Sequence, residues 1–574
     1  MIPRLRTRRR PTLLLLGTVL LALLAGGCVR VPTSGPVEYQ SPTASAPQRG
    51  GVAVFPAGPV GNATPRQIVE GFLDAMASYQ PGYPVAREFL TAEAAGQWAT
   101  GRVQVFDSIG ATSLRVRGPS VSMTARRTDA ITADGQWRSF GTGSEITVDF
   151  PLRRVDGQWR IARPPDGVLM SRFDTSREFD AFHLYFFDTG FRWFVPERRF
   201  LPARSSVESV LVSRLIAGPS AWLAPVVRTG IPEGATGAPT VTVVGETAMV
   251  NFDDLRMNAL TDDQRRYLYA QLSETLGQVG IVAVSIRVRQ VPLTISGLPE
   301  EAIPVAQWSR FDPTTDTVDG VAFAFTKGRL TQLPSAGLGA SLVDQLGRPP
   351  GLSCAVSRSI DRLAIVSPDG RSVRVADGVS GKPRVVLTGA GVPQPSFDGY
   401  DDLWMVSRAP TGSTAFAYRG NRLLPVNLDG LANRQILGLR VSDDGVRAAM
   451  AVSRGSGTDV VIARVARSGA GVGPSIAAPI TLPTSLTRIA GIAWSDPDTV
   501  AVLGARGSAP LQPYLVTIDG SSTATVGQSP SARNLAAADG QPLLLGSTDG
   551  TIVGHEQGSS WLRITDGTAP CYPG

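Results

Sequence analysis

The side chains that could perform covalent or metal chemistry are few. The chain has three cysteines, Cys28, Cys354 and Cys571, and two histidines, His183 and His555. Nucleophilic catalysis needs a base beside the nucleophile, and neither histidine lies near a cysteine or a GxSxG motif in the sequence. CxxC pairs, GxxxxGK(S/T) loops and GxGxxG turns are absent as well. The sequence therefore predicts a protein that is not an enzyme, with no catalytic, metal-ligating or cofactor-binding residue.

Cys28 follows a segment that is typical of export signals. Arginines dominate residues 4–10, residues 12–24 are almost entirely apolar, and small residues precede the cysteine. The apolar run of about 13 residues is shorter than the roughly 20 that span a bilayer as a helix. The order Leu24-Ala25-Gly26-Gly27-Cys28 resembles a bacterial lipobox. The resemblance implies a signal peptide at 1–27, lipidation of Cys28, and a lipid anchor on the extracytoplasmic face of the cell membrane. An ordinary signal peptide followed by a chance cysteine is the alternative.

The charge of the chain does not favour nucleic-acid binding. Five arginines of the N-terminal segment account for most of the formal net charge of +7, and no long basic run follows. Residues 28–62 are rich in Pro, Gly, Ser and Ala without periodic apolar positions, which predicts a flexible tether. The rest of the chain is long enough for about three domains.

The first folded region, residues 63–170, combines helices with strands. Thr64 and Pro65 are typical of a helix start, and apolar residues follow at helical spacing. Strand-like runs then alternate with turns at Asp134-Gly135 and Asp156-Gly157. Helices before an antiparallel sheet resemble the nuclear-transport-factor-2-like (NTF2-like) fold, an α+β cone. No acid–base pair stands out from its lining, so we favour packing over ligand binding here.

A hairpin at 171–204 and a second α+β region at 205–300 follow. The hairpin is rich in aromatic residues, which predicts either a docking stripe or, as we favour, buried packing between domains. The second region orders its elements as helix, strand, strand, helix, strand. With Gly218-Pro219 ending its first helix and Thr261 capping its second, it resembles the GerMN (germane) domain of exported bacterial proteins. The resemblance implies a helix packed on a small sheet and no catalytic activity.

Short strands and turns recur over residues 319–574. Ten Asp-Gly pairs supply turns, because Asp and Gly tolerate positive φ. The pattern repeats about every 40–50 residues and predicts an all-β propeller of five or six blades. One position of the repeat is occupied by small residues: Ser357, Ser396, Ser442, Ser495 and Ala537.

Cys354 and Cys571 form an even pair in a chain that carries an export signal, for which a disulfide is the default expectation. Cys354 begins the first clear repeat, and Cys571 lies at the end of the last. The first and last blades of a closed ring are neighbours. The sequence therefore predicts a disulfide between Cys354 and Cys571 that closes the propeller.

Carboxylates of the propeller region are candidates for a different chemistry. Asp361, Asp401, Asp402 and Asp443 follow strand-like segments and could line one end of the ring. A propeller glycosidase would need an acid–base pair near the ring centre. Gly, Ala and Ser dominate this neighbourhood, and the DxDxDG spacing of calcium loops is absent. Solvated turns are therefore the favoured interpretation.

The order of these parts resembles one family as a whole. Lipobox, tether, NTF2-like domain, GerMN domain and propeller resemble the LpqB family of actinobacterial lipoproteins, chiefly through residues 69–98, 185–202 and 206–295. The resemblance implies a non-enzymatic accessory of the MtrA–MtrB two-component system. Its partner would be the extracytoplasmic domain of an MtrB-like sensor histidine kinase, with effects on cell-envelope homeostasis and division. A lipoprotein that binds or processes cell-wall glycan, with a cell-wall polymer as partner, is the alternative.

Overall fold

The computed structural model of the chain describes its folded regions and leaves the N-terminus outside. The described residues are 56–110, 113–203, 206–232, 239–315, 321–333, 349–377, 382–431, 433–467, 472–529, 531–555 and 560–574. Cys28, the signal segment and most of the predicted tether lie outside these residues. The described residues form an N-terminal helix-and-sheet domain, a second domain that includes a long hairpin, and a strand-rich C-terminal ring.

The helices precede the ring. The α-helices are α1 (Pro65–Met76), α2 (Pro84–Glu88), α3 (Ala92–Gln97), α4 (Arg172–Glu178), α5 (Val207–Ala217) and α6 (Asp262–Gly277). Short 3₁₀ helices span Ala224–Val226, Leu255–Ala259 and Val305–Phe311. Helix α1 begins at the predicted position. The side chain of Thr64 accepts a hydrogen bond from the backbone N–H of Gln67, and the Gln67 side chain accepts one from the backbone N–H of Thr64.

In the N-terminal domain, the helices pack on one six-stranded sheet. Its strands are β1 (Val103–Phe106), β2 (Leu114–Arg117), β3 (Ser120–Ile131), β4 (Trp137–Val155), β5 (Gln158–Ile161) and β6 (Val168–Ser171). The order is β5-β4-β3-β1-β6 with β2 beside β3, and only the β1–β6 pair is parallel. Ile68, Val69 and Phe72 of α1 are buried in the core that these strands share with the helices. The predicted α+β fold of this region is confirmed.

The second domain places helix α6 on a small sheet. Its strands are β7 (Phe179–Asp188), β8 (Phe194–Pro202), β9 (Val227–Arg228), β10 (Thr240–Val244), β11 (Thr247–Phe252), β12 (Ala283–Val288), β13 (Val291–Pro292) and β14 (Ile303–Pro304). Strands β10 to β13 follow one another in the sheet, and β14 pairs with β12. Strands β11 and β12 are parallel because α6 provides the crossover between them.

The aromatic hairpin belongs to the core of this second domain. Strands β7 and β8 pair along their whole length, from Phe179 opposite Pro202 to Phe187 opposite Phe194. Phe187 and Phe194 are buried in the same hydrophobic core as Leu268 of α6. The predicted burial of the aromatic stripe is therefore confirmed, although these rings pack inside the second domain and not, as predicted, between domains.

The C-terminal ring contains five sheets within the described residues, and they make up six blades. The strands are β15 (Phe323–Thr326), β16 (Arg329–Gln332), β17 (Ser353–Val356), β18 (Arg362–Val366), β19 (Ser372–Asp377), β20 (Arg384–Thr388), β21 (Ser396–Phe397), β22 (Leu403–Ala409), β23 (Gly412–Arg419), β24 (Arg422–Leu428), β25 (Ile436–Val441), β26 (Arg447–Arg454), β27 (Gly457–Ala466), β28 (Ser475–Thr481), β29 (Arg488–Asp496), β30 (Thr499–Ala505), β31 (Gln512–Thr517), β32 (Thr523–Thr525), β33 (Ala532–Ala536), β34 (Leu544–Ser547), β35 (Thr551–His555), β36 (Trp561–Asp566) and β37 (Thr568–Cys571). Blade 1 combines β15 and β16 with β37. Blades 2 to 6 are β17–β20, β21–β24, β25–β28, β29–β32 and β33–β36. Blades 3 and 4 are joined in one eight-stranded sheet because β24 and β28 pair in parallel. The predicted propeller is confirmed, and the choice between five and six blades falls on six.

The last strand of the chain closes the ring. Strand β37 pairs with β15, so the C-terminus completes the blade that residues 323–332 begin. Cys571 of β37 forms a disulfide with Cys354 of β17, in blade 2. The backbone N–H of Gly574 also donates to the carbonyl oxygen of Val356, at 3.0 Å. The two ends of the propeller sequence are thus joined by pairing and by a covalent bond.

Candidate functional site

A cavity of about 390 Å³ lies where the inner strands of the blades meet the second domain. We name it the central chamber. Its propeller walls are the inner strands β17, β21, β25, β29, β33 and β37 together with the turns that follow them. Its other wall comes from β7 and β8, from Glu274 of α6, and from residues 312–314. The chamber is therefore formed by the propeller and the second domain together.

Small side chains on the inner strands leave this volume open. Ala355, Ser396, Ala493 and Ala537 face the chamber from four different blades. Protein interiors are otherwise packed to crystal-like density, so a ring of small residues at the centre of a propeller leaves space that larger residues would fill. Two of these residues, Ser396 and Ala537, also belong to the position of small residues that marks the repeat in the sequence.

Acidic groups dominate the chamber. Among the described residues, seven carboxylates line it but only two basic side chains, His183 and Arg440. The Arg440 guanidinium donates to the carbonyl oxygens of Gln394 and Leu439 at 2.8 and 2.9 Å, and burial lowers the pKa of Arg440 to about 10. The seven carboxylates are Glu274, Asp312, Asp443, Asp444, Asp496, Asp498 and Asp539.

The side chains of Glu274 and Asp443, which come from opposite walls, carry no hydrogen bond or ion pair among the described residues. Burial raises the pKa of the Glu274 carboxyl to about 7, with a further rise from the nearby Asp312. Burial likewise raises the pKa of Asp443 to about 6; the positive charge of Arg358 opposes this rise, and Asp444 adds to it. Two carboxyl groups that titrate close to neutral pH therefore face one chamber.

Asp539 behaves in the same way at a third point of the wall. Burial raises its pKa to about 6, and the charges of Asp496 and Asp312 add to the rise. Asp496 itself accepts a hydrogen bond from the backbone N–H of Asp498, at 2.8 Å. The carboxylates of the chamber thus raise one another's pKa values, as like charges in a poorly solvated space do.

Asp498 is the exception because it has a basic partner. Its Oδ2 is hydrogen-bonded to the Nε2 of His183 on β7, across the boundary between propeller and second domain. Burial raises the pKa of Asp498, but the charges of His183, Arg447 and Arg198 and the hydrogen bond to His183 outweigh burial and lower it. The Asp498 side chain is only 11 % exposed, and its Oδ1 accepts no hydrogen bond in the described part of the chain.

The two walls are held together by polar contacts outside the chamber. Trp222, in the second domain, donates from Nε1 to the carbonyl oxygen of Ala478, at 2.9 Å. Its own carbonyl accepts from Arg464 Nη1, at 2.8 Å. On the next blade, Arg198 of β8 pairs with Asp519, at 3.4 Å. These contacts fix the second domain on the propeller and so fix the shape of the chamber.

The predicted site residues fall in different places. Cys354 and Cys571 line the chamber as a disulfide, whereas Cys28 lies outside the described residues. Of the four candidate aspartates, only Asp443 lines the chamber. Asp361 instead accepts hydrogen bonds from Ser357 and Ser359 within its own turn.

Asp402, another of the four, accepts hydrogen bonds from Arg419 and Arg467, and Asp401 lies in the preceding turn. The second histidine, His555, packs its ring 5.1 Å from that of Trp561 in blade 6. Within the described residues, no group of three or more His, Cys, Asp or Glu side chains has the geometry of a metal site.

Comparison with protein families matches all three folded regions. A family described as "Lipoprotein LpqB, N-terminal domain" matches residues 58–176, and "Lipoprotein LpqB beta-propeller domain" matches residues 328–573. Between them, "Sporulation and spore germination" (Germane) matches residues 183–299, which include most of the aromatic hairpin. A relative from Thermobifida fusca (strain YX), named lipoprotein LpqB, is 31 % identical over 97 % of this chain and 98 % of its own. The chain belongs to the LpqB lipoprotein family.

Other LpqB relatives are similar over the same extent. Those of Cutibacterium acnes and Streptomyces avermitilis are each 28 % identical, over 96 % of this chain and 97 % of theirs. Among solved structures, TolB from Acinetobacter baumannii is similar with a TM-score of 0.34 and 14 % identity, over 52 % of this chain and 85 % of that one. The names of the matched propeller family and of the relatives describe lipoproteins with a propeller domain. Among the described residues, no helix of this LpqB-family chain has the length and apolar character of a membrane span.

Proposed function

We propose that this chain is a membrane-anchored, extracytoplasmic accessory of a two-component system. It binds the extracytoplasmic domain of an MtrB-like sensor histidine kinase and modulates its signalling, with effects on cell-envelope homeostasis and division. The observation that supports this most is membership of the LpqB family through all three folded regions in one order. The lipid on Cys28 that the lipobox implies would raise the concentration of the protein near a membrane sensor.

The fold supports a binding role. Propellers present rigid loops on broad faces, and the contacts of Trp222, Arg464 and Arg198 fix the second domain on this propeller. A surface that is already ordered loses little conformational entropy when a partner binds. Among the described residues, the cysteines that line the chamber are joined as a disulfide, so neither is a free nucleophile there. We therefore propose a non-enzymatic regulator.

The test uses the full-length chain and the full-length kinase, reconstituted together in liposomes. We expect saturable co-purification and a change of at least about twofold in kinase autophosphorylation when the chain is present. A kinase whose extracytoplasmic domain has been replaced by that of an unrelated sensor is the control, and it should show neither effect. Absence of a complex at micromolar concentrations of both proteins would overturn the proposal.

The alternative function is binding or processing of cell-wall glycan. One observation favours it: the chamber combines carboxylates with aromatic side chains such as Tyr185 and Trp494, as many sugar sites do. It requires retention of the full-length chain on sedimented peptidoglycan or arabinogalactan. For a processing enzyme, it also requires turnover that is lost in Asp443→Asn. If the chain stays in the supernatant with both polymers, this alternative is excluded.

A further inference from the structure

The central chamber has the size and the enclosure of a small-molecule site. Ligand cavities in proteins occupy about 300–1,000 Å³ and often lie between domains, and the chamber measures about 390 Å³ between the propeller and the second domain. The proposed function makes no use of it, because contact with a kinase would involve outer surfaces. The groups on its walls therefore call for a separate account.

The chamber contains carboxylate oxygens that lack a hydrogen-bond donor. Asp498, with its side chain 11 % exposed, keeps Oδ1 without a hydrogen bond among the described residues. Glu274 on the opposite wall and Asp443 beside β25 also line the chamber; each is half-buried, and neither side chain has a hydrogen bond or ion pair among the described residues. An acceptor such as Asp498 Oδ1 that is held away from water without a donor destabilises the folded protein, so a donor cation in the chamber would offset that cost.

The apolar part of the lining suits the same kind of ligand. Tyr185, Phe194, Trp494 and Tyr572 contribute aromatic side chains to the walls. The polar atoms of two of them are already engaged: Tyr572 donates to the carbonyl oxygen of Pro542 at 2.8 Å, and Trp494 Nε1 donates to that of Arg440 at 3.2 Å. Aromatic rings attract organic cations through their negative faces, while they offer little to anions.

We propose that the central chamber binds a small organic cation of the amine class. Glu274 from the second domain and Asp443 and Asp498 from the propeller are its carboxylate partners. An aliphatic diamine fits this arrangement, because its two ammonium groups can each reach a carboxylate while its methylene chain lies against the aromatic walls. Such a ligand bridges two domains, so binding strengthens their association. The inference does not depend on the kinase and would stand if that partnership failed.

The probe is 1,8-diaminooctane, with 1,8-octanediol as an uncharged molecule of the same length. Calorimetric titration of the full-length chain at about pH 7.5 should give saturable one-to-one binding of the diamine, and a higher melting temperature with it. The diol should bind at least about tenfold more weakly, since it offers hydroxyls in place of charges. Equal binding of both probes, no binding of the diamine, or an equal effect of calcium chloride alone would overturn the proposal.

Variants locate the binding within the chamber. Glu274→Gln and Asp443→Asn keep the side-chain shape and remove one charge each, and each should weaken diamine binding by about tenfold. Glu301→Gln, on an exposed residue of the second domain, is the matched control and should bind like the original chain. Unchanged affinity in both chamber variants would place the diamine elsewhere and contradict the assignment.

A measurement on the unmodified chain covers the case in which a variant fails to fold. Diamine affinity should fall between about pH 8 and pH 5, as protonation removes the charges of Glu274, Asp443 and Asp539 while Asp498, paired with His183, stays ionised. Arg440, with a pKa of about 10, keeps its charge over that range. The other charged groups that act on these carboxyls include Arg358, Asp312, Asp444 and Asp496. An affinity that does not change with pH would also overturn the proposal.

Discussion

Arg447 of blade 4 donates a hydrogen bond from Nη1 to the carbonyl oxygen of Pro196 in β8, at 3.2 Å. The same guanidinium pairs with Asp444 through Nη2. Both charged side chains are almost completely buried, so the pair is stable only while each keeps its partner. One arginine therefore holds a turn of the propeller and the hairpin of the second domain in a single contact.

Replacing Arg447 should loosen the junction of the two domains. Arg447→Ala leaves Asp444 buried without its partner, and we expect a loss of about 3–5 kcal/mol in the free energy of unfolding. Arg454→Ala is the matched control at the other end of β26, where Arg454 is 66 % exposed and pairs with Asp459 at 3.4 Å; it should cost less than about 1 kcal/mol. Urea unfolding followed by tryptophan fluorescence measures both. Equal losses would show that the buried contact of Arg447 stabilises the protein no more than the exposed ion pair of Arg454 does.

The disulfide of Cys354 and Cys571 should be the main covalent constraint on the ring. It joins residues 217 apart, for which the chain-entropy model gives about 5 kcal/mol. A Cys354→Ala/Cys571→Ala double variant should unfold at a lower urea concentration than the original chain. Reductant should lower the stability of the original chain to a similar degree and leave the double variant unchanged. Titration of two free thiols in the unfolded, unreduced chain would contradict the prediction.

Lipidation of Cys28 is tested by localisation. Cys28→Ala removes the sulfur that the lipobox resemblance assigns to the diacylglycerol, so the chain should leave the detergent-extractable membrane fraction, and incorporation of labelled palmitate should disappear. The Cys354→Ala/Cys571→Ala variant is the control and should remain labelled and membrane-bound. Labelling that persists in Cys28→Ala would assign the lipid to another site.

The larger parts of the fold could be predicted from the sequence because they are periodic. The recurring strands and Asp-Gly turns gave the propeller, and the capping residues Thr64 and Thr261 gave the starts of α1 and α6. The alignment of one repeat is wrong in detail. The backbone N–H groups of Ser357 and Ser442 close their turns by donating to the carbonyl oxygens of Arg362 and Arg447. In blade 3 the N–H of Asp398 does this, to the carbonyl oxygen of Asp402, so Asp398 and not Ser396 occupies the equivalent position.

The central chamber could not be predicted, because it forms only when two domains meet. Its acidic residues come from a helix and from several turns that are distant in sequence. The structure adds an observation that the sequence lacks. Glu274 is a carboxylate within the segment 268–276 of α6, whose other residues are all buried. A charge on a helix that is buried on most sides favours a functional or paired group over a solvated one.

The free energy of unfolding should increase as the pH is lowered from about 8 to about 5. The folded state raises the pKa of Glu274 from 4.5 to about 7, so its burial costs nothing below pH 4.5 and the cost is complete above about pH 7. Ionisation of this group should lower the free energy of unfolding by at most about 3 kcal/mol as the pH rises. Glu274→Gln should be more stable than the original chain at pH 8 and similar at pH 5. Glu301→Gln should follow the original profile, and a flat profile for the original chain would contradict the prediction.

The tip of the aromatic hairpin supplies the last test, on Asp188 and Tyr400. Asp188 accepts hydrogen bonds from the backbone N–H groups of Gly190, Arg192 and Trp193 at 2.6–2.7 Å. It also accepts one from the hydroxyl of Tyr400 in blade 3. Burial and the charge of Asp188 raise the pKa of Tyr400, so it donates as a neutral phenol throughout the accessible range. The hairpin turn is thus built on a carboxylate that also binds the propeller.

A double-mutant cycle separates these two roles of Asp188. Asp188→Asn should cost about 2 kcal/mol of unfolding free energy and Tyr400→Phe about 1–2 kcal/mol, because each removes or weakens a charge-assisted hydrogen bond. The double variant should cost less than the sum, with a coupling of about 1 kcal/mol. Tyr418→Phe, which removes a bond from Tyr418 to Asn421 inside blade 3 at 3.2 Å, is the control and should add to Asp188→Asn without coupling. Urea denaturation of the full-length variants gives all the terms, and strict additivity of Asp188→Asn with Tyr400→Phe would show that the hydroxyl contributes nothing across the boundary.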